Sequence, residues 1–216
     1  MRRRDFLSVI CGGAFAAPYD ADAQQPGKVW RICDVFPSTP ERSSYLAQAF
    51  EQSLADLGDV QGRNILLSQQ FAGPQPDKVR EVIASLLPEI DLLVARGTIG
   101  GVAAKELAGN VPTVFISVGA PVEIGLVQSL AHPGGNITGI TFEAATETYG
   151  KRLQILKEIA PDLERVAIIQ AVGDPNVGFA MKSLEGAASE LNVALVPIEI
   201  KLTSELDTAF RKIRNS

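Results

Sequence analysis

Short apolar runs alternate along this chain with longer stretches whose apolar residues recur at helical spacing. Residues 29–35 form a short apolar run and read as a buried strand. Residues 41–57 follow with Leu46, Phe50, Leu54 and Leu57 at helical intervals, and Gly58 ends that helix. The same logic predicts strands over 64–71, 92–95, 113–117 and 137–141. It predicts helices over 77–87, where Val79, Ile83, Leu86 and Leu87 share a face, over 99–107, and a short one over 124–130.

A second set begins after Phe142. Helices are expected over 147–159, closed by Pro161, over 176–191 and from 206 to 214; strands are expected over 165–170 and 194–200. Strands separated by helices imply parallel β-α-β units, whose right-handed crossovers place helices on both faces of a sheet. The strands are apolar on both sides of their pleat, as burial between two helical layers requires. The first set is a plausible complete unit. The second, with fewer strands, would bury little and leave strand edges open.

Charge and composition narrow the function. A net charge of −5 argues against nucleic acid, because phosphate binding needs clustered Lys and Arg. No apolar run reaches the roughly 18 residues a membrane span needs. The first 23 residues read as a cleavable export signal: Arg2, Arg3 and Arg4, then a small apolar run from Phe6 to Ala17, then Ala21-Asp22-Ala23 before Gln24. "RRRDFL" has the look of a twin-arginine signal. Beyond this leader Cys33 is the remaining cysteine, so no internal disulfide is expected there, and Cys33 reads as a small packed hydrophobe.

Candidate chemistry is sparse. The single histidine, His132, precedes Pro133-Gly134-Gly135 and reads as a turn residue, with no G-x-S-x-G elbow to serve. No catalytic set, metal-ligand spacing, phosphate loop or cofactor motif stands out. What does recur is small polar residues at predicted strand ends, where ligands bind in open α/β sheets. Pro37, Ser38 and Thr39 follow the first strand, Gly97 and Thr98 the third, and Ser117 and Gly119 the fourth. Gly97 lets the backbone approach a ligand, and Thr98 is placed to cap a helix whose free amides attract an anion. Arg96 either adds a bidentate contact there or lies in solvent. In the second set, Asp174 and Asn176 either cap the following helix or face the cleft and accept an amino group. Such a site binds a small polar molecule and offers no group to transform it.

The run "VFISVGAPVEIGLVQSLAHPGGNITGIT", followed by "GKRLQILKEIAPDLERVAII", resembles the substrate-binding proteins of ABC transporters, of the tryptophan/tyrosine type. The leader "RRRDFL…AQQ" and "ARGTIGGVAAKE" fit the same resemblance. It implies an α/β, periplasmic-binding-protein-like fold: two doubly wound parallel-sheet lobes, the second incomplete here. Residues 1–23 are then the signal peptide, 24–141 lobe one and 142–216 a partial lobe two. Gly134 and Gly135 supply a positive-φ turn, and Thr141 and Phe142 form the first crossing. The implied function is periplasmic capture of a small organic solute, amino-acid-like or aromatic, by a monomer that delivers it to an inner-membrane permease without a cofactor. Ser38, Thr39, Gly97, Thr98, Ser117, Gly119, Thr141, Asp174 and Asn176 are the expected ligand contacts. Two positions depart from the family pattern: Gly119-Ala120-Pro121 replaces a usual Gly-Asp-Pro, and Arg96 replaces a small residue. Family members also continue well past Ser216, so a truncated member is expected. A fragment without function and an enzyme on a doubly wound fold are the competing readings.

Overall fold

The computed structural model describes residues 27–214. Five parallel strands form one sheet in the order β2-β1-β3-β4-β5: β1 (Trp30–Phe36), β2 (Ile65–Phe71), β3 (Leu92–Arg96), β4 (Thr113–Gly119) and β5 (Ile137–Glu143). Three helices cross between its first four strands: α1 (Pro40–Asp56), α2 (Pro76–Leu86) and α3 (Gly97–Leu107). Pro40 and Pro76 open α1 and α2 at first-turn positions, where a missing N–H costs nothing.

The two faces of this sheet differ in chemistry because the pleat sorts alternate residues. Cys33 and Val35 of β1, with Leu93 and Ala95 of β3, pack against Val79 and Ile83 of α2 and Ala103 and Ala104 of α3. The opposite face presents Asp34 and Phe36 from β1 and Arg96 from β3, and Phe50 of α1 covers them. Right-handed crossovers require this division, since β1 to β2 and β2 to β3 travel in opposite directions across the sheet.

Residues 124–130 do not form the expected helix. The chain makes turns instead, with Leu126 N–H donating to the Pro121 carbonyl, Gln128 N–H to the Pro133 carbonyl, and Gly125 at φ +68°. The consecutive residues Leu126 and Val127 are both buried, joining Phe115 and Val118 in a small cluster. The segment is held by these side chains and by its turn hydrogen bonds rather than by a helical ladder. His132 lies in an exposed turn closed by Ser129, as expected; of the two glycines expected at positive φ, Gly134 takes it, at +82°, and Gly135 does not.

The second set forms a separate two-stranded parallel sheet of β6 (Arg165–Ala171) and β7 (Ala194–Ile200). Helices α4 (Glu147–Ile159) and α5 (Asn176–Leu191) pack on it through Leu153, Leu184, Ala187 and Ala188, and α6 (Leu206–Arg214) follows β7. Asn192, at φ 52° and ψ 47°, ends α5 in the left-handed conformation that Asn tolerates better than most residues.

Cys33 is fully buried, and burial pushes its thiol up to about 11, against a lowering contact from Ser68. Two results are expected. A thiol reagent will modify Cys33 only as fast as the chain unfolds. Because the native thiol holds its proton to higher pH than an unfolded one, the stability it contributes is full below about pH 9 and declines as pH rises toward 11. Rapid labelling under native conditions would contradict the buried placement.

Candidate functional site

A cleft of about 550 Å³ opens where the carboxyl ends of the strands in the two sheets face each other. In the five-stranded half its floor is set by Pro37 after β1 and Gly97, Thr98 and Ile99 at the start of α3. These follow β1 and β3, the neighbouring strands between which the strand order reverses, and their crossovers diverge to opposite faces to leave a crevice. Gln75 and Pro76 at the start of α2, and Ser117 near the end of β4, complete this side. The two-stranded half contributes Ala171 and Val172 after β6, Asp174 and Asn176 at the start of α5, and Lys201 and Leu202 after β7. Phe142 stands between the halves, on β5.

Of the nine residues expected from the sequence, Gly97, Thr98, Ser117, Asp174 and Asn176 line this cleft. The others sit behind it. Ser38 donates or accepts across 2.6 Å with Ser43, and its carbonyl receives the Gly73 N–H. Thr39 is the N-terminal flanking residue of α1 and makes no side-chain cap bond. Gly119 donates its N–H to Thr98 Oγ1 at 3.0 Å. The Thr141 hydroxyl lies 2.6 Å from the Val118 carbonyl and 2.8 Å from that of Glu143, holding the end of β5 to β4.

Thr98 does not cap α3; Arg96 holds the flanking position, and Thr98 is the buried second residue of the helix. Its oxygen accepts from Gly119 N–H and from Asn176 Nδ2, the latter at 2.7 Å from across the cleft. With two bonds accepted, the remaining polar function of that hydroxyl is donation. Gly97 takes φ +66°, a conformation only glycine adopts without strain, and so turns β3 directly into α3. In the second half Asp174 accepts the N–H and the Nδ2 of Asn176 at 2.9 and 3.0 Å, so the Asp174-Asn176 pair both starts α5 and edges the cleft.

Arg96 is neither an anion-binding arm nor in solvent. Its guanidinium grips Asp34 by two bonds, Nε to Oδ1 at 2.6 Å and NH2 to Oδ2 at 2.9 Å, beneath the floor. Asp34 is 0% exposed and the Arg96 side chain 12%. The guanidinium also lies over the rings of Phe36 at 4.4 Å and Phe50 at 5.1 Å, and Phe36 stacks on Phe71. Burial pushes the Asp34 carboxyl above its usual range while Arg96 pulls it down. The pair thus ties β1 to β3 where both enter the cleft.

Backbone strain concentrates at the rim. Ser117 and Ala120 sit at φ 61° and 47°, in the left-handed region that costs L-residues roughly 1–2 kcal/mol. Between Ile116 and Gly119 the β4–β5 register slips, so Ser117 is the extra residue of a bulge turned toward the cleft. Ala120 stands where the resembled family carries Asp, a residue enriched in this conformation.

Lys201, Leu202, Gln75 and Phe142 were missed by the sequence reading. The strand-end rule covers the first three, since each follows a strand directly or flanks the start of the next helix, but a large apolar or charged side chain there is a weaker signal than a small polar one. Among the described residues no cluster of three His, Cys, Asp or Glu could hold a metal ion, and no helix is long and apolar enough to cross a membrane.

A doubly wound parallel sheet facing a second βα unit across a cleft at the strand ends defines a periplasmic-binding-protein-like architecture. The chain belongs to the ABC transporter substrate binding protein family, whose model matches residues 39–216. A tyrosine-binding protein of Clostridioides difficile (strain R20291) is 27% identical over 167 residues, which cover 77% of this chain and 48% of that protein. The chain therefore spans about half the length of this curated relative. A conserved domain protein from Vibrio cholerae O1 biovar El Tor superposes with a TM-score of 0.72 at 22% identity, over 86% of this chain and 62% of the other. An ABC domain from Streptococcus pneumoniae in complex with L-Trp gives 0.70 at 15% identity, over 88% and 63%. At these identities the two structures establish a shared fold. The family is one of transport-related binding proteins rather than enzymes.

Proposed function

We propose that this protein is the exported solute-binding component of an ABC importer. It captures an amino-acid-like, aromatic solute in the cleft and presents it to an inner-membrane permease. The observation that carries this reading is the lining of the cleft. Hydroxyls and helix-start amides from one half face Asp174, Asn176 and Lys201 from the other. Pro37, Phe142, Val172 and Leu202 supply apolar wall for a ring.

In this reading Gly97, Thr98, Ser117, Asp174 and Asn176 touch the solute, while Ser38, Thr39, Gly119 and Thr141 hold the loops that carry them. The first lobe runs to the end of β5 at Glu143, two residues beyond the expected boundary at 141, and the residues after it belong to the second. The tyrosine-binding relative and the L-Trp complex favour an aromatic amino acid among possible solutes. The basic leader and its Ala21-Asp22-Ala23 site favour cleavage and a periplasmic location; residues 1–23 lie outside the described residues.

The test is thermal unfolding of the purified chain with L-tyrosine, L-tryptophan and a panel of other amino acids. A ligand that binds the native state alone must raise the midpoint, by an increment that grows with the logarithm of its concentration. Saturable stabilisation by an aromatic amino acid is expected, weakened at least about tenfold in affinity by Asn176→Ala through loss of a buried polar contact. No stabilisation by any member of the panel would sink the proposal.

A further inference from the structure

Asn176 bridges the two halves. One Nδ2 hydrogen goes to Thr98 Oγ1 at 2.7 Å and the other to Asp174 Oδ1 at 3.0 Å. An ionised carboxylate only accepts, so Asp174 fixes which end of the amide carries the hydrogens. Asn176 Oδ1 is then buried with no donor among the described residues. It rests against Gly119: a Cβ at that position would overlap Oδ1 and stand 3.0 Å from Phe142 Cζ. Gly119 does not take a left-handed φ. Its missing side chain therefore serves space, not backbone freedom.

We infer that Thr98, Gly119 and Asn176 form a latch that draws the two halves together, with Gly119 as the seat that lets Asn176 reach Thr98. The inference rests on reading the cleft as a solute site. The latch bond joins the halves directly, with no solute group between its atoms, so it acts on the solute-free chain as well. Its strength is self-limiting. Closing adds one bond, from Nδ2 to Thr98, since the Asp174 bond lies within the second half; it also buries the amide oxygen without a donor, and an unpaired buried acceptor costs about as much as a hydrogen bond contributes. Offsetting contributions keep closed and open arrangements close in free energy. That balance is what allows modest solute contacts to shift the population.

The experiment measures the distance between the halves by pulsed electron spin resonance, with labels on Gln48→Cys in α1 and Glu185→Cys in α5. Both positions are exposed, Cys11 is replaced by Ser, and buried Cys33 stays unlabelled. Gly119→Ala should wedge the latch and lower the closed fraction about fivefold or more. In an Asn176→Ala background the same change should have little further effect, because the oxygen it strikes is gone. Asn176→Gln, which lengthens the side chain from the other half, should also open the cleft and guards against a misfolded Gly119→Ala chain. Unchanged distances in Gly119→Ala or Asn176→Gln, or an equal effect of Gly119→Ala in both backgrounds, overturn the latch. An L-tyrosine titration of the labelled chains with Gly119 intact and with Gly119→Ala, both keeping Asn176, separates the two readings. Unchanged distances with intact binding remove the latch and leave the solute reading standing. Shifted distances in a chain that binds no amino acid do the reverse.

Discussion

Asp34→Ala will lower the unfolding free energy by about 3–5 kcal/mol, the penalty for stranding a buried charge. The stranded group is Arg96, held by the Asp34 carboxylate through two bonds and covered by Phe36 and Phe50. Its guanidinium cannot shed its proton, so it must either stay unpaired or drag the end of β3 toward water. Replacing both members, as Asp34→Leu with Arg96→Met, should recover most of the loss, because a buried pair barely offsets its own desolvation. The upward push of burial on the Asp34 carboxyl is a sign of that desolvation. Urea denaturation of Asp34→Ala and of the double variant reads both values. A loss below about 1 kcal/mol for Asp34→Ala would mean the pair is wetter than the geometry shows.

Gly139→Ala should cost about 3 kcal/mol or more, at the upper end of overpacking effects. Gly139 pairs with Phe115 in the β4–β5 ladder, and an added Cβ would fall on the Phe115 carbonyl oxygen, with the ring's Cγ at 2.6 Å. A backbone oxygen in a ladder cannot swing aside as a side-chain tip does, so β5 must leave β4. Thr141 and Glu143 would lose their hold on Val118 and Ala120, and the chain enters the second half just beyond them. At a few degrees per kcal/mol for a chain of this size, the melting midpoint should fall by about 10 °C. Amide exchange along 113–119 and 137–143 should accelerate ahead of the other strands. A midpoint within a degree of the parent would show that this crossing tolerates a wider gap.

Elements with strong periodicity were legible in the sequence. The apolar runs and helical stripes place α4, α5, β7 and α6 at their observed limits, and the remaining strands within a residue or two. The failure over 124–130 has a physical cause: Leu126 and Val127 are buried together in a turn, and a short apolar stretch does not show whether its burial is periodic. The strand-end rule found Gly97, Thr98, Ser117, Asp174 and Asn176 because it follows from topology alone. It could not see that Arg96 is claimed by Asp34, since the partner lies 62 residues away in an otherwise apolar run. An acidic residue inside a buried strand was the available signal, because such a charge needs a partner. The latch through Gly119 was beyond reach, for it depends on how closely two separate sheets approach.

The bulge at the end of β4 also governs how this cleft can be re-engineered. Ser117 and Ala120 hold left-handed backbone on either side of the Gly119 seat. In a combinatorial library covering 117–120, folded clones will be enriched for Gly, Asn and Asp at the two outer positions and stripped of Val, Ile and Thr, whatever solute drives the selection. New specificity must therefore be sought on the facing wall, at Val172, Lys201 and Leu202, where the backbone imposes no such filter.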